Sequence, residues 1–126
     1  MISVSQFSEN ISLIKSKINE TAKQSSRSAD EIHIVSIAKT FPVIAWKRCL
    51  EEGLLLIGES RVQEAENKIN KFKNRNKMEL HLIGHLQKNK TKKAVNNFDI
   101  IQTIDSIALL DKINNTAKGL NKIQYI

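Results

Sequence analysis

The chain has 126 residues, of which 40% are hydrophobic and 26% charged, so it is long enough for one modest domain over residues 1–126. This composition argues against disorder, and no apolar run reaches the roughly 18–20 residues that a membrane span requires. Its 20 Lys and Arg residues against 13 Asp and Glu residues give a formal charge of +7, which attracts phosphate esters, nucleic acid or acidic lipid without choosing between them.

The cysteine content and the N-terminus bear on the compartment. Cys49 is the only cysteine, and a single thiol cannot form an internal disulfide. The first ten residues, MISVSQFSEN, have neither the basic region nor the apolar region of a secretion signal. We therefore expect a protein of the reducing cytoplasm.

The first predicted element is an amphipathic helix over residues 4–18. Its apolar side chains are spaced alternately three and four residues apart, which places them on one stripe of a helix. The stripe consists of Val4, Phe7, Ile11, Ile14 and Ile18. A polar loop, QSSRSAD, follows, and the short β-branched run Ile32–Ile37 then predicts a buried strand.

Helices and strands alternate along the rest of the chain. Pro42 opens a predicted helix at a position where its missing N–H does no harm, and Gly53 ends that helix. Ser106 caps the last predicted helix, whose apolar face begins with Ile107 and Leu110. The other predicted strands are Leu54–Ile57, Leu80–Ile83, Asp99–Thr103 and the beginning of a fifth at Ile123–Ile126.

This alternation predicts the fold class. Strand and helix repeating at intervals of roughly 20–25 residues are typical of right-handed βαβ units and a parallel sheet. A doubly wound open sheet and a (β/α)₈ barrel both fit. A complete barrel needs about 250 residues, so a chain of this length would hold about half of one, with the helices outside the strands.

Lys39 is the first candidate for chemistry, because working residues in parallel β/α folds lie after the carboxyl ends of the strands. Alternation puts Lys39 on the same strand face as Val35 and Ile37. A lysine at the rim of an apolar pocket loses hydration, which makes its amine a better nucleophile towards aldehydes. The spacing alone favours the alternative, a lysine that extends from the strand end into solvent.

The segments after the other strands give weaker signals. Gly84 and His85 precede a Lys-rich helix and could form an anion cradle, although an ordinary turn also fits. His81 and His85 are four residues apart, but a strand end does not place both on one face, so no metal site is predicted. Residues 88–93 (KNKTKK) are typical of a solvated helix face, with a nucleic-acid-binding surface as the alternative.

Four segments, each at a predicted strand end, carry a resemblance to one family. They are VSIAKTFP with Lys39, GESRVQE at 58–64, HLIGHLQKNK at 81–90 and DIIQTIDS at 99–106. In the same order, the pyridoxal-phosphate homeostasis proteins share V-S-K-T-x-P, G-E-N-x-x-Q-E, H-x-I-G-x-L-Q-x-N-K and D-x-I-x-T/S-x-D-S. The chain resembles this family over essentially its whole length.

The resemblance implies a partial (β/α)₈ barrel of the alanine racemase N-terminal type. It implies that Lys39 is a Schiff-base lysine for pyridoxal 5′-phosphate, and that the protein serves intracellular homeostasis of this cofactor without catalytic turnover. With Gly84 and His85, Ser60 completes the candidate cofactor-binding set. Ser60 stands where the family has Asn, which predicts a weakened polar contact near the cofactor.

The resemblance also implies a partner. The family holds the cofactor phosphate largely through residues of its C-terminal half, which have no counterpart here. Either the sequence is a fragment or a shortened form, or a second copy or a separate C-terminal half supplies these residues. One alternative function is a pyridoxal-phosphate-dependent racemase, which would need an acid/base group from a second domain. The other is a nucleic-acid-binding module, which lacks aromatic residues interleaved with the basic ones.

Overall fold

The computed structural model describes all 126 residues. They form five α-helices and four parallel strands, which are joined by loops. After the first helix, strands and helices alternate along the chain. The elements are α1 Val4–Gln24, β1 Val35–Ile37, α2 Ile44–Glu51, β2 Leu56–Glu59, α3 Val62–Ile69, β3 Glu79–Leu82, α4 Thr91–Asn97, β4 Ile100–Ile101 and α5 Ile107–Gly119. None of the helices combines the length and the hydropathy needed to cross a membrane.

The order of the strands distinguishes the two architectures that the sequence allows. Each strand pairs in parallel with the next one in sequence, which gives the order β1-β2-β3-β4. Ile57 lies opposite Ser36 on one side and Leu80 on the other, so the register is continuous across the sheet. A doubly wound sheet reverses its strand order at a switch point, whereas a barrel adds strands in one direction. The fold is therefore a partial (β/α)₈ barrel, as predicted.

The two faces of the sheet are covered unequally. Ile57, Leu80 and Leu82 point to the helices and are completely buried in one core with residues of all five helices. On the opposite face, which would be the barrel interior, Ile37 is 48% exposed and Leu56 is half-buried. Four strands supply only part of a barrel wall, so nothing lies across from these side chains.

The bounds of the strands differ from the predicted ones: the third strand is Glu79–Leu82 rather than Leu80–Ile83, and the fourth is Ile100–Ile101 rather than Asp99–Thr103. The first strand is Val35–Ile37 rather than Ile32–Ile37, and the second is Leu56–Glu59 rather than Leu54–Ile57. Gly53 ends α2 in the left-handed region at φ 74°, and the chain needs two further residues before it pairs with β1. As a consequence, Glu59 belongs to a buried strand and not to the loop after it.

The helices bury faces that differ in part from the predicted ones. Ser106 caps α5 as predicted, because its hydroxyl accepts a hydrogen bond from the N–H of Leu109 at 3.1 Å. The buried face of α5 is Leu109, Ile113 and Ala117, whereas Ile107 in the first turn is 74% exposed. Leu109 of the first turn therefore reaches the core, whereas Ile107 two residues earlier points away from it.

The C-terminal segment forms the beginning of a fifth strand, as predicted. Tyr125 makes a single parallel bridge to Ile100 beside β4, and its carbonyl accepts a hydrogen bond from the N–H of Ile101 at 3.1 Å. The edge of β4 is therefore partly covered, whereas β1 pairs with β2 alone.

Candidate functional site

Lys39 lies directly past the end of β1, at the edge of the sheet where the carboxyl ends of all four strands meet. It begins a tight turn, and the next residue, Thr40, has a left-handed backbone at φ 67°. The side chain of Lys39 is exposed. Of the two environments that the spacing allows for Lys39, the structure shows the solvated one, because the open inner face of the sheet leaves this edge in contact with water.

The other three predicted residues lie together on the neighbouring loops. Ser60 follows β2, and Gly84 and His85 follow β3. Ser60 and His85 line a cavity of about 330 Å³ together with the basic side chains of Arg61 and Lys90. Lys39 is not among the residues that line this cavity. The structure thus places a cationic recess one strand away from the candidate amine.

Gly84 is required for the close approach of these two loops. A Cβ atom at this position would lie 2.1 Å from the carbonyl oxygen of Ser60, which no relaxed backbone permits. The carbonyl of Gly84 also accepts a hydrogen bond from the hydroxyl of Thr103 at 2.5 Å, which connects the loop to the segment after β4. Any side chain at Gly84 would push the loops after β2 and β3 apart.

We expect Gly84→Ala to destabilise the fold by about 1–3 kcal/mol, the usual cost of overpacking. Gly119→Ala is the matched control, because a Cβ atom there meets nothing within 4 Å and alanine favours a helix over glycine. Urea unfolding followed by circular dichroism measures both variants. Equal stability of the two variants would contradict the packing seen at Gly84.

A buried ionic network under this edge is the feature that the sequence did not predict. Glu59 is completely buried, and its Oε1 accepts hydrogen bonds from the indole N–H of Trp46 at 2.9 Å and from Lys68 Nζ at 2.5 Å. Lys68 is 7% exposed and also forms an ion pair with Glu64 at 3.0 Å. Two carboxylates and one ammonium group therefore meet between β2 and α3.

The surroundings act in opposite directions on the two carboxyl groups. Burial raises the pKa of Glu59 above its usual value, although hydrogen bonds from Lys68 and Trp46 favour its ionised form. Burial acts in the same upward direction on Glu64, but hydrogen bonds from Lys68 and from the Thr40 N–H outweigh it and lower the pKa of Glu64. Lys68 is therefore held in place by a carboxylate on each side.

The sequence does contain a signal for this network. Glu64 and Lys68 are four residues apart, which places both side chains on one face of α3. Glu59 alternates with Ile57 on β2, so both side chains point towards the helices. A buried acid on that face requires a cationic partner, and Lys68 is the one within reach.

The two histidines near this edge of the sheet, His81 and His85, both have polar partners. His81 is buried on the inner face, where Nε2 lies 2.8 Å from Glu79 Oε1 and Nδ1 lies 2.8 Å from Gln102 Nε2. His85 is exposed, and its Nδ1 lies 3.3 Å from Asp105 Oδ2. No group of three His, Cys, Asp or Glu side chains is placed to hold a metal ion.

Comparison with known proteins identifies relatives of this chain, although no family model matches it. The pyridoxal phosphate homeostasis protein of Haemophilus influenzae is 34% identical over 106 residues, which are 83% of this chain and 45% of that protein. The structure of PipY from Synechococcus elongatus with pyridoxal phosphate bound is similar with a TM-score of 0.72 and 32% identity, over 82% of this chain and 49% of PipY.

The crystal structure of an unknown protein from Bifidobacterium adolescentis is similar with a TM-score of 0.86 and 25% identity, over 96% of this chain and 54% of that one. The chain spans about half the length of the curated relatives that it matches.

Proposed function

Because this chain is homologous to the pyridoxal phosphate homeostasis proteins over about half of their length, we propose that it binds pyridoxal 5′-phosphate through Lys39. Its role would be to hold the cofactor and keep its free concentration low in the cytoplasm, without a turnover reaction. The observation that carries the proposal is the placement of Lys39 at the carboxyl-terminal edge of the strands of a partial barrel, with an exposed amine one strand away from a cationic recess.

The residues at this edge fit the two ends of the cofactor. Pyridoxal phosphate supplies an aldehyde, which condenses reversibly with a primary amine, and a phosphate dianion. Lys39 offers the amine. Arg61, His85 and Lys90 offer N–H donors to an anion, and Ser60 adds a hydroxyl group in the same recess.

The arrangement supports sequestration more than catalysis. A racemase needs a free acid/base group opposite the lysine. Both ring nitrogens of His81 are hydrogen-bonded, and Nδ1 of His85 lies 3.3 Å from Asp105 Oδ2. A reversible covalent bond to Lys39 alone stores a reactive aldehyde without consuming it.

The single thiol, Cys49, is buried and unpaired, in keeping with a reducing compartment.

The basic segment 88–93 gives less support to a nucleic-acid-binding function. Thr91 is buried, and Lys93 is paired with Glu66 of α3 at 3.3 Å. The remaining lysines stand on a short helical stretch with no aromatic side chain between them for base stacking. Apart from Lys90, which lines the recess, we therefore assign this segment to the structure of the barrel wall.

The proposal is tested by locating the modified lysine. We expect borohydride treatment in the presence of pyridoxal phosphate to fix the cofactor on Lys39, and peptide mass mapping to find it there. Lys39→Ala should abolish the visible absorbance change, whereas Lys88→Ala, which removes another exposed lysine of the same edge, should not. A label spread evenly over surface lysines would contradict the assignment of Lys39 as the Schiff-base lysine.

A further inference from the structure

The turn that carries Lys39 is fastened to α3 on both sides of the lysine. Lys68 Nζ donates a hydrogen bond to the carbonyl of Ala38 at 2.9 Å. Glu64 Oε1 accepts a hydrogen bond from the backbone N–H of Thr40 at 2.6 Å. The residues immediately before and after Lys39 are therefore held by two side chains that lie one helical turn apart.

These two side chains are themselves fixed. Lys68 is paired with Glu59 at 2.5 Å and with Glu64 at 3.0 Å, and its ammonium group lies 5.9 Å from the centre of the Trp46 ring. A buried charge that has lost its partner is strongly unfavourable, so each member of the network depends on the others. Lys68 and Glu64 consequently have little freedom to follow a moving turn.

Thr40 shows that the turn needs such support. Its φ of 67° is in the left-handed region, where a β-branched residue is a genuine outlier. Backbone of this kind persists only where the surroundings determine it, and it clusters at functional sites. The hydrogen bond to Glu64 is the contact made by the Thr40 N–H, so Glu64 stabilises the strained conformation directly.

We propose that Glu64 and Lys68 are positioning residues that fix the backbone on either side of Lys39 and so direct its amine towards the recess. This role rests on the proposed function of Lys39. Neither residue touches the cofactor in this scheme, and both act through the turn Ala38–Thr40. The ionic network is then part of the binding site and more than a buried feature of the barrel wall.

The test compares Glu64→Ala, which removes the acceptor for the Thr40 N–H, with Glu64→Gln, which keeps a carbonyl oxygen there. We expect Glu64→Ala to lower the share of pyridoxal phosphate fixed on Lys39 by about tenfold, equivalent to about 1.4 kcal/mol. We expect Glu64→Gln to retain most of the share of pyridoxal phosphate that the wild-type chain fixes on Lys39. Glu66→Ala is the matched control, because it removes another ion-paired glutamate from the same helix.

A second readout does not involve the cofactor. In the free chain, amide hydrogen exchange at Thr40 should accelerate in Glu64→Ala and remain slow in Glu64→Gln and Glu66→Ala. The double variant Lys68→Met with Glu59→Gln removes the bond to Ala38 without leaving a buried charge, and it should also lower the Lys39 share. Thermal melts establish that each variant is folded at the assay temperature.

The two readouts separate this inference from the proposed function. If the wild-type chain shows no preference for Lys39, the proposed function fails, and the exchange at Thr40 still decides whether Glu64 holds the turn. The positioning role is overturned if Glu64→Ala leaves both the share of label on Lys39 and the rate of exchange at Thr40 unchanged. It is also overturned if the share of label on Lys39 is as low in Glu64→Gln as in Glu64→Ala.

Discussion

We expect this chain to bind pyridoxal phosphate about three powers of ten more weakly than a full-length relative. Charge-assisted hydrogen bonds to a buried phosphate are worth roughly 1.5–3 kcal/mol each, so three of them correspond to about a thousandfold or more at 1.4 kcal/mol per tenfold. The resemblance implies that the C-terminal half of the family makes most of those bonds, and this chain spans about half the length of the relatives that it matches. The bond to Lys39 would remain, without most of the phosphate site.

The cationic recess compensates only in part for the missing contacts to the phosphate. Arg61 and His85 are exposed, and Lys90 is half-buried. Exposed cations gain about 0–1 kcal/mol from an anion and are screened by salt. The residual affinity for pyridoxal phosphate should therefore fall as salt is added, whereas a buried phosphate site responds less.

Absorbance titrations of this chain and of the Haemophilus influenzae relative, in the same buffer at two salt concentrations, measure the difference. 5′-Deoxypyridoxal, which has the aldehyde, no phosphate and no 5′-hydroxyl that could close onto the aldehyde, is the matched ligand control and should bind this chain almost as well as the phosphate ester does. Submicromolar binding of pyridoxal phosphate by the monomer would prove the expectation wrong.

The alternation of strands and helices could be predicted from the sequence because each element is a local pattern. The run Ile32–Ile37, the stop at Gly53 and the cap at Ser106 each depend on a few neighbouring residues, and all three reappear in the structure with small shifts. The strand order is not local. Periodicity fits an open sheet and a barrel equally, and only the pairing of each strand with the next distinguishes them.

The ionic network was missed because the interpretation of its residues depends on where one strand ends. With the second strand ending at Ile57, Glu59 is a loop residue that can be hydrated, and Lys68 is an ordinary lysine on a polar helix. With the strand ending at Glu59, the same carboxylate points into the core and Lys68 must follow it. A shift of two residues thus changes two solvated charges into a buried pair.

A second expectation concerns the uncovered edge of the sheet, where we expect the purified chain to self-associate. β1 pairs with β2 alone, so the other edge of its backbone has no strand partner. An apolar groove with a volume of about 650 Å³ lies beside this edge, between α1, β1 and α2. Apolar side chains that line it include Phe7, Ile11, Ile14, Ile34, Ile37 and Phe41.

The occupant that we expect in a purified sample is a second copy of the chain, because no other apolar surface is available to cover this groove. The formal charge of +7 opposes association. That repulsion is screened beyond about 8 Å at physiological salt, whereas burial of apolar surface is strengthened by salts such as sulfate. Association should therefore increase with ionic strength, opposite to the salt dependence expected of phosphate binding.

Size-exclusion chromatography with light scattering over a range of protein concentrations tests this expectation. Ile37→Lys places a charge in the groove and should shift the chain towards the monomer by at least about tenfold in dissociation constant, since truncating or charging a central apolar contact costs 2 kcal/mol or more. Ile107→Lys is the matched control, because Ile107 is 74% exposed at the start of α5 and does not line the groove. Ile37 is already 48% exposed, so neither substitution should prevent folding. A wild-type chain that is a monodisperse monomer with a sharp thermal transition would mean that the groove closes within one molecule.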